Sequence, residues 1–231
     1  MIEPTLFNIF PTTIYANEVA NHEVNKKLFF DLYDKYDYEE NERSVTVSEG
    51  QVDPLIHLEP TMNPVFEEIV KHIKTYVLDV LKYKDIFNYA ITKSWISRTR
   101  STASIPWHIH STSHVSFVYY LHIPPNSHST VFLNRHNINS LFLGANSENT
   151  VDDMNMIQEY NNLNCKTFFI QPEEGTLILF PSNLSHGTQH VDDDFCDERL
   201  SIVGDVNLLL KEEYLLHSMG LIDEKYWRKF E

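Results

Sequence analysis

Three histidines stand close together in Trp107-His108-Ile109-His110-Ser111-Thr112-Ser113-His114. A fourth, His186, stands alone in Phe180-Pro181-Ser182-Asn183-Leu184-Ser185-His186-Gly187. In a strand, residues i and i+2 share a face, so His108 and His110 can present two imidazoles side by side. A borderline metal ion accepts such a pair, and a third ligand must then arrive from a facing strand. His186 follows a strand-like run and precedes a glycine, which suits that role. The chain holds 12 His, so an HxH pair alone is weak evidence. The same residues would also serve as surface or hydrogen-bonded core histidines.

Arg199-Leu200-Ser201 opens an apolar run that reaches Val206. Arg199 and Ser201 share a face, the one that a barrel interior would fill with apolar side chains. A cation held there wants an anion. A five-carbon dicarboxylate suits it, because a guanidinium meets a carboxylate in bidentate fashion and the hydroxyl adds a further contact. The competing reading is a structural ion pair with Asp197 or Asp205.

Strands must position these groups. Tyr89–Ser97, Ser113–Ile123, Thr130–Leu133, Thr167–Ile170, Thr176–Phe180 and Arg199–Leu209 are rich in Val, Ile, Tyr, Phe and Thr, and Pro, Asn, Ser and Gly divide them. Upstream, Leu6–Phe10 and Thr12–Tyr15 read as a short strand pair. Glu18 to Tyr36 reads as a helix with Val24, Leu28, Leu32 and Tyr36 on its apolar stripe. Glu39–Gln51 reads as a loop that allows a strand at Ser44–Val47. Pro64–Tyr83 is the clearest helix. Asn63 is placed to cap it, Pro64 to sit in its first turn, and Phe66, Ile69, Val70, Ile73, Val77, Val80 and Leu81 to form one stripe. Strands that follow helices point to an antiparallel sandwich or jelly roll with helices on one face. Gly144–Asn164 is polar, carries Met154 and Met156, and reads as a long insertion, either a lid over the mouth of the barrel or an ornamental surface loop. Lys211–Glu231 reads as one or two short helices.

The composition excludes several classes. The chain has 231 residues and a net charge of −15, which disfavours binding to DNA or RNA. Its 42% hydrophobic content fills a sizeable core and excludes a disordered chain. Cys165 and Cys196 make no disulfide framework and read as reduced thiols. Met1-Ile2-Glu3-Pro4 lacks the pattern of a secretory leader, and no stretch approaches the ~20 apolar residues of a membrane span. A soluble cytoplasmic protein of one domain is expected.

The HxH pair, the strand Ser116-Phe117-Val118-Tyr119-Tyr120-Leu121, the run Pro172–Ser182, His186 and Glu198-Arg199-Leu200-Ser201-Ile202 together resemble the iron(II)/2-oxoglutarate-dependent dioxygenases. Within them the chain is most similar to small oxygenases of marine bacteria and their phages. Leu6-Phe7-Asn8-Ile9-Phe10-Pro11-Thr12 and Ser94-Trp95-Ile96 also look like that group. The likeness spans most of the chain and is specific from about Trp95 to Val206.

The resemblance implies an α+β protein: a double-stranded β-helix, or jelly-roll barrel, with flanking N-terminal helices. Residues 1–88 would be the mostly helical flank, 89–210 the jelly-roll core and 211–231 the C-terminal helices. It implies Fe(II) and 2-oxoglutarate as cofactors, with His108 and His186 as metal ligands. Arg199 would anchor the oxoglutarate with Ser201 as its helper. The expected reaction is hydroxylation by O2 of a small molecule, a peptide or a protein side chain, in the host cytoplasm if the chain is phage-encoded. Trp107, Tyr120 and His122 are candidates to line the pocket, and Tyr120 shares parity with His110 and His114 if the strand runs unbroken.

The chain departs from the common family pattern at His110, where most members carry a carboxylate. His110 either completes three neutral imidazoles or leaves a position open to water or halide. A third arrangement, HxHxxxH with His114 as a ligand, resembles a cupin metal site. The rival functions are therefore a cupin-type metalloprotein without oxoglutarate and a non-catalytic binding or structural protein on the same fold. A zinc hydrolase fits less well, because its usual barrel needs about 250 residues and carries its motif near the start.

Overall fold

Alternating side chains along the strand that begins at Arg199 send one set toward the helices and the other toward a second sheet, and the fold is built around that division. A computed structural model describes residues 8–33, 37–40, 45–49, 55–99, 104–135, 158–189 and 198–214. The strands are β1 (Tyr15–Glu18), β2 (Asp37–Glu40), β3 (Val45–Glu49), β4 (Phe87–Thr99), β5 (Val115–His122), β6 (Ser129–Leu133), β7 (Thr167–Ile170), β8 (Thr176–Pro181), β9 (Ser185–Gln189) and β10 (Arg199–Leu210). Two helices, α1 (His22–Tyr33) and α2 (Asn63–Lys74), precede β4, and a π-helical turn, Thr75–Val80, continues α2.

Seven strands pair in the order β1-β8-β5-β10-β4-β3-β2, and three in the order β7-β6-β9. Their pairings are antiparallel, and strands far apart in sequence lie side by side. That interleaving belongs to a jelly roll. Phe117, Tyr119 and Leu121 of β5, Leu177 and Leu179 of β8, and Leu200, Ile202 and Val206 of β10 face α1 and α2, where they meet Phe29, Phe66, Ile69 and Ile73. Each such side chain, fully buried, contributes about 1.5–3 kcal/mol. The opposite parity, Val118, Tyr120, Ile178 and Phe180, packs on Phe132 of β6, between the two sheets. Among the described residues the two sheets form a sandwich rather than a closed barrel.

Several expectations need correction. Phe10 has φ 57, a left-handed conformation that no strand accepts, and the first described strand is Tyr15–Glu18, paired to β8. Residues 1–7 lie outside the described residues. The first helix starts at His22, not Glu18; of the expected stripe Leu32 is buried and Leu28 packs on the core, but Val24 is 60% exposed, and Asn25 and Phe29 are buried beside them. The strand allowed at Ser44–Val47 is present as β3, which pairs with β4, while β2, which was not expected as a strand, pairs with β3 and extends the sheet further. Its strand character comes from backbone pairing, which hydrophobic patterning does not report.

The second long helix has no side-chain cap. A 3₁₀ turn, Pro60–Met62, leads straight into it, and Asn63 is already helical. Its stripe holds through Val77. The π turn then brings the Leu81 N–H to the Tyr76 carbonyl (2.9 Å), five residues back, and leaves Val80 and Leu81 exposed. The six strands expected after residue 88 are present, with ends shifted by up to two residues, but β9 was missed. Of the expected insertion, residues 144–157 lie outside the described residues, as do 215–231 of the C-terminal segment; a 3₁₀ turn, Glu212–Tyr214, precedes the latter.

Candidate metal and anion site

His108 does not stand on the strand that follows it. β5 begins at Val115, and residues 108–114 cross the end of the sandwich on backbone hydrogen bonds. His108 and His186 exchange both N–H···O bonds at 3.0 Å, His110 N–H donates to the Ser182 carbonyl (2.9 Å), and His114 N–H donates to that of Val206 (3.0 Å). The expectation of an unbroken strand, with Tyr120 in parity with His110, is therefore corrected. The crossing segment sets the imidazoles side by side.

Their hydrogen bonds define which nitrogen is free. His108 Nδ1 donates to the Pro106 carbonyl and His186 Nδ1 to the Leu184 carbonyl, each at 2.8 Å. His110 Nδ1 donates to Asp205 Oδ1 at 2.5 Å. Carbonyl and carboxylate oxygens only accept, so Nδ1 carries the proton in all three rings, and Nε2 is the nitrogen that each neutral imidazole offers to a metal. One nitrogen from each ring lies within 4.8 Å of the others, and the ring centroids are 4.3–5.1 Å apart. Burial pushes the His186 pKa down to about 3 and lowers that of His108. Both imidazoles are thus neutral at pH 7, the state that binds metal. Burial alone would raise the Asp205 pKa, but hydrogen bonds from His110, Ser113 and Ser116 hold it below the usual carboxylate range.

Arg199 lies buried at the start of β10, on the same face as Ser201, Val203 and Asp205. Its Nη2 donates to Thr130 Oγ1 (3.2 Å), and its guanidinium lies 5.2 Å from the Tyr120 ring centre. The Tyr120 hydroxyl is 2.7 Å from the same Thr130 oxygen. No carboxylate pairs with Arg199 among the described residues. Asp205, a rival partner from the sequence, is engaged by His110 instead, and Asp197 lies outside the described residues. Arg199 Nε and Ser201 Oγ are buried without a hydrogen-bond partner. Leaving such groups unpaired costs about 1–3 kcal/mol each, more for a charge. A bound carboxylate removes that cost, so the residues present fit an oxoglutarate-like anion.

The remaining candidates separate. His114 is exposed and outside the imidazole cluster; its Nδ1 accepts from the Leu208 N–H (3.3 Å). This corrects the HxHxxxH alternative. His122 lies 3.3 Å from Glu174, in a cluster with His22 and Lys26. Trp107 is 41% exposed. Sequence reasoning missed Trp95, which stacks on His110 with centroids 5.7 Å apart, and the role of Asp205. Asp205 was within reach, since it follows Arg199 by six residues on one strand and so shares its face.

Residues 93–205 match the family model described as "Putative 2OG-Fe(II) oxygenase". The chain is similar to that family over this segment, just under half of its length. It is an oxygenase that depends on iron(II) and 2-oxoglutarate. No curated protein sequence matches it. Solved structures share the fold. A 2OG-Fe(II) oxygenase family oxidoreductase from Burkholderia pseudomallei is 15% identical at a TM-score of 0.52, over 79% of this oxygenase and 77% of that chain. A Pseudomonas putida prolyl-4-hydroxylase is 12% identical at 0.51, over 85% and 92%. HygX from Streptomyces hygroscopicus, crystallised with nickel, 2-oxoglutarate and hygromycin B, is 12% identical at 0.54, over 85% and 83%. No described helix of the oxygenase is long and apolar enough to cross a membrane.

Proposed function

We propose that His108, His110 and His186 hold the iron of this oxygenase, that Arg199 and Ser201 hold the far carboxylate of 2-oxoglutarate, and that the reaction is hydroxylation of a C–H bond. The observation that carries this reading is the buried Arg199 guanidinium, unpaired by any described carboxylate, on the strand face that also carries Asp205 beneath His110. When bound, iron and oxoglutarate supply O2 activation: substrate, O2 and 2-oxoglutarate become hydroxylated substrate, succinate and CO2. The chain's own part is positional. Pro106 and Leu184 carbonyls fix the His108 and His186 rings, while Tyr120 and Thr130 fix the guanidinium. Tyr120 supports the anchor through Arg199. The substrate class is a small molecule or a peptide, in keeping with relatives that include a prolyl-4-hydroxylase and a protein crystallised with hygromycin B. A metal site without oxoglutarate would leave the Arg199 charge without a use.

Anaerobic titration of the metal-free protein with Fe(II) tests the ligands, and succinate formation from 2-oxoglutarate under air tests the chemistry. One iron per chain, lost in His108→Ala and His186→Ala, and iron-dependent succinate production are expected. Full iron stoichiometry in both variants overturns the ligand set. No succinate at any iron loading, with or without a panel of small-molecule and peptide substrates, overturns the activity.

A further inference from the structure

We propose that Asp205 is the positioning residue of the metal centre, supplying through His110 the negative charge that a carboxylate would otherwise bring into direct contact with the ion. The proposal rests on the reading of His110 as a ligand. Three imidazoles leave a divalent ion without a charged protein ligand. Asp205 Oδ1 lies 2.5 Å from His110 Nδ1, on the opposite side of the ring from Nε2. It therefore cannot reach an ion held by Nε2 directly. It orients the ring, fixes its tautomer and raises the basicity of the far nitrogen.

The carboxylate is itself held in place. Ser113 Oγ and Ser116 Oγ each lie 3.1 Å from the same Oδ1. Ser182 Oγ ties those two hydroxyls together at 2.8 and 2.9 Å. Ser182 also accepts the His110 N–H at its carbonyl, so one residue braces both the backbone of the ligand and the group beneath its ring. Trp95 stacks on the imidazole at an interplanar angle of 28° and restrains it from rotating. The Asp205 side chain is almost wholly buried, with a relative exposure of 6%. A carboxylate used only for solubility or for a surface ion pair needs none of this.

Cobalt(II), which tolerates air, is the probe. The metal-free protein and its Asp205→Asn, Asp205→Ala and His110→Ala variants are titrated, and the affinity and the visible spectrum of bound cobalt are read. Asp205→Asn keeps an oxygen to accept the Nδ1–H and nearly the same volume, but removes the charge. Cobalt affinity is expected to fall about 10-fold in Asp205→Asn and up to about 100-fold in Asp205→Ala, with the cobalt spectrum displaced in both. In a His110→Ala background, Asp205→Asn should cost nothing further, because the path through the ring is gone. Affinity and spectrum unchanged in Asp205→Asn, while His110→Ala binds weakly, overturn the proposal and leave His110 as a ligand. Wild-type cobalt binding in His110→Ala overturns the ligand reading instead. Should Asp205→Ala fail to fold, Asp205→Asn decides alone.

Discussion

Gly187 leaves room for the Ile105 carbonyl: a β-carbon at 187 would stand 2.6 Å from that oxygen and 3.2 Å from the Pro106 oxygen. The close approach seats the 105–108 segment on β9, with Thr188 N–H donating to the Ile105 carbonyl (3.0 Å) and His108 paired to His186. Both obstacles are backbone, so neither can turn aside as a side chain would. Gly187→Ala is expected to destabilise the fold by about 1–3 kcal/mol, a Tm lower by about 2–10 °C. It should also weaken Fe(II) binding while oxoglutarate contacts at Arg199 persist. Calorimetry and metal titration check this; unchanged Tm and iron affinity would show that the segment docks without needing the glycine.

Arg199→Ala should raise the 2-oxoglutarate dissociation constant by roughly 30-fold or more, since removing one partner of a desolvated charge pair costs about 2–5 kcal/mol. Arg199→Lys should recover only part of that, because an ammonium lacks the planar fork that meets a carboxylate. Metal binding should survive in both. Isothermal titration with oxoglutarate at saturating metal reads the difference, and wild-type affinity in Arg199→Ala would move the anchor elsewhere.

Glu174 predicts an acid limb in stability. Burial alone would raise its pKa, but Lys26, the Ile123 N–H and His22 draw it down to about 2. A depressed carboxylate contributes stability above its unfolded value of 4.5, and the contribution is lost as pH falls from 4.5 toward 2. Solvent reaches this cluster, so the contribution is at most about 1 kcal/mol. Glu174→Gln should melt up to about 4 °C below wild type at pH 7, and the gap should close between pH 4.5 and 2. A gap that stays constant with pH would assign the loss to shape rather than charge.

How far the site was legible follows from the range of each signal. Arg199 and Ser201 are read from alternation along one strand, a local rule that survives any tertiary arrangement and that also puts Asp205 on their face. The stripe of α2 was equally local and held through Val77, after which the π turn of residues 75–80 changed its phase and left Val80 and Leu81 exposed. Strand β3 is legible at Ser44–Val47, whereas β2 is hidden because its strand character lies in backbone hydrogen bonds to β3, to which side-chain patterning is blind.

The sequence by itself determined the cast: an HxH pair, a distal histidine, a basic residue and hydroxyl on one inward face, and strands at nearly their observed places. Only the tertiary structure decided that residues 108–114 leave the sheet, that His114 stays outside the cluster, and that Asp205 belongs to His110 rather than to Arg199. The physical reason is separation along the chain. His110 and Asp205 are 95 residues apart, and no local preference couples them. Their contact exists because β10 lies beside β5 while the crossing segment is held to Ser182 and His186, and chain folding alone sets that geometry.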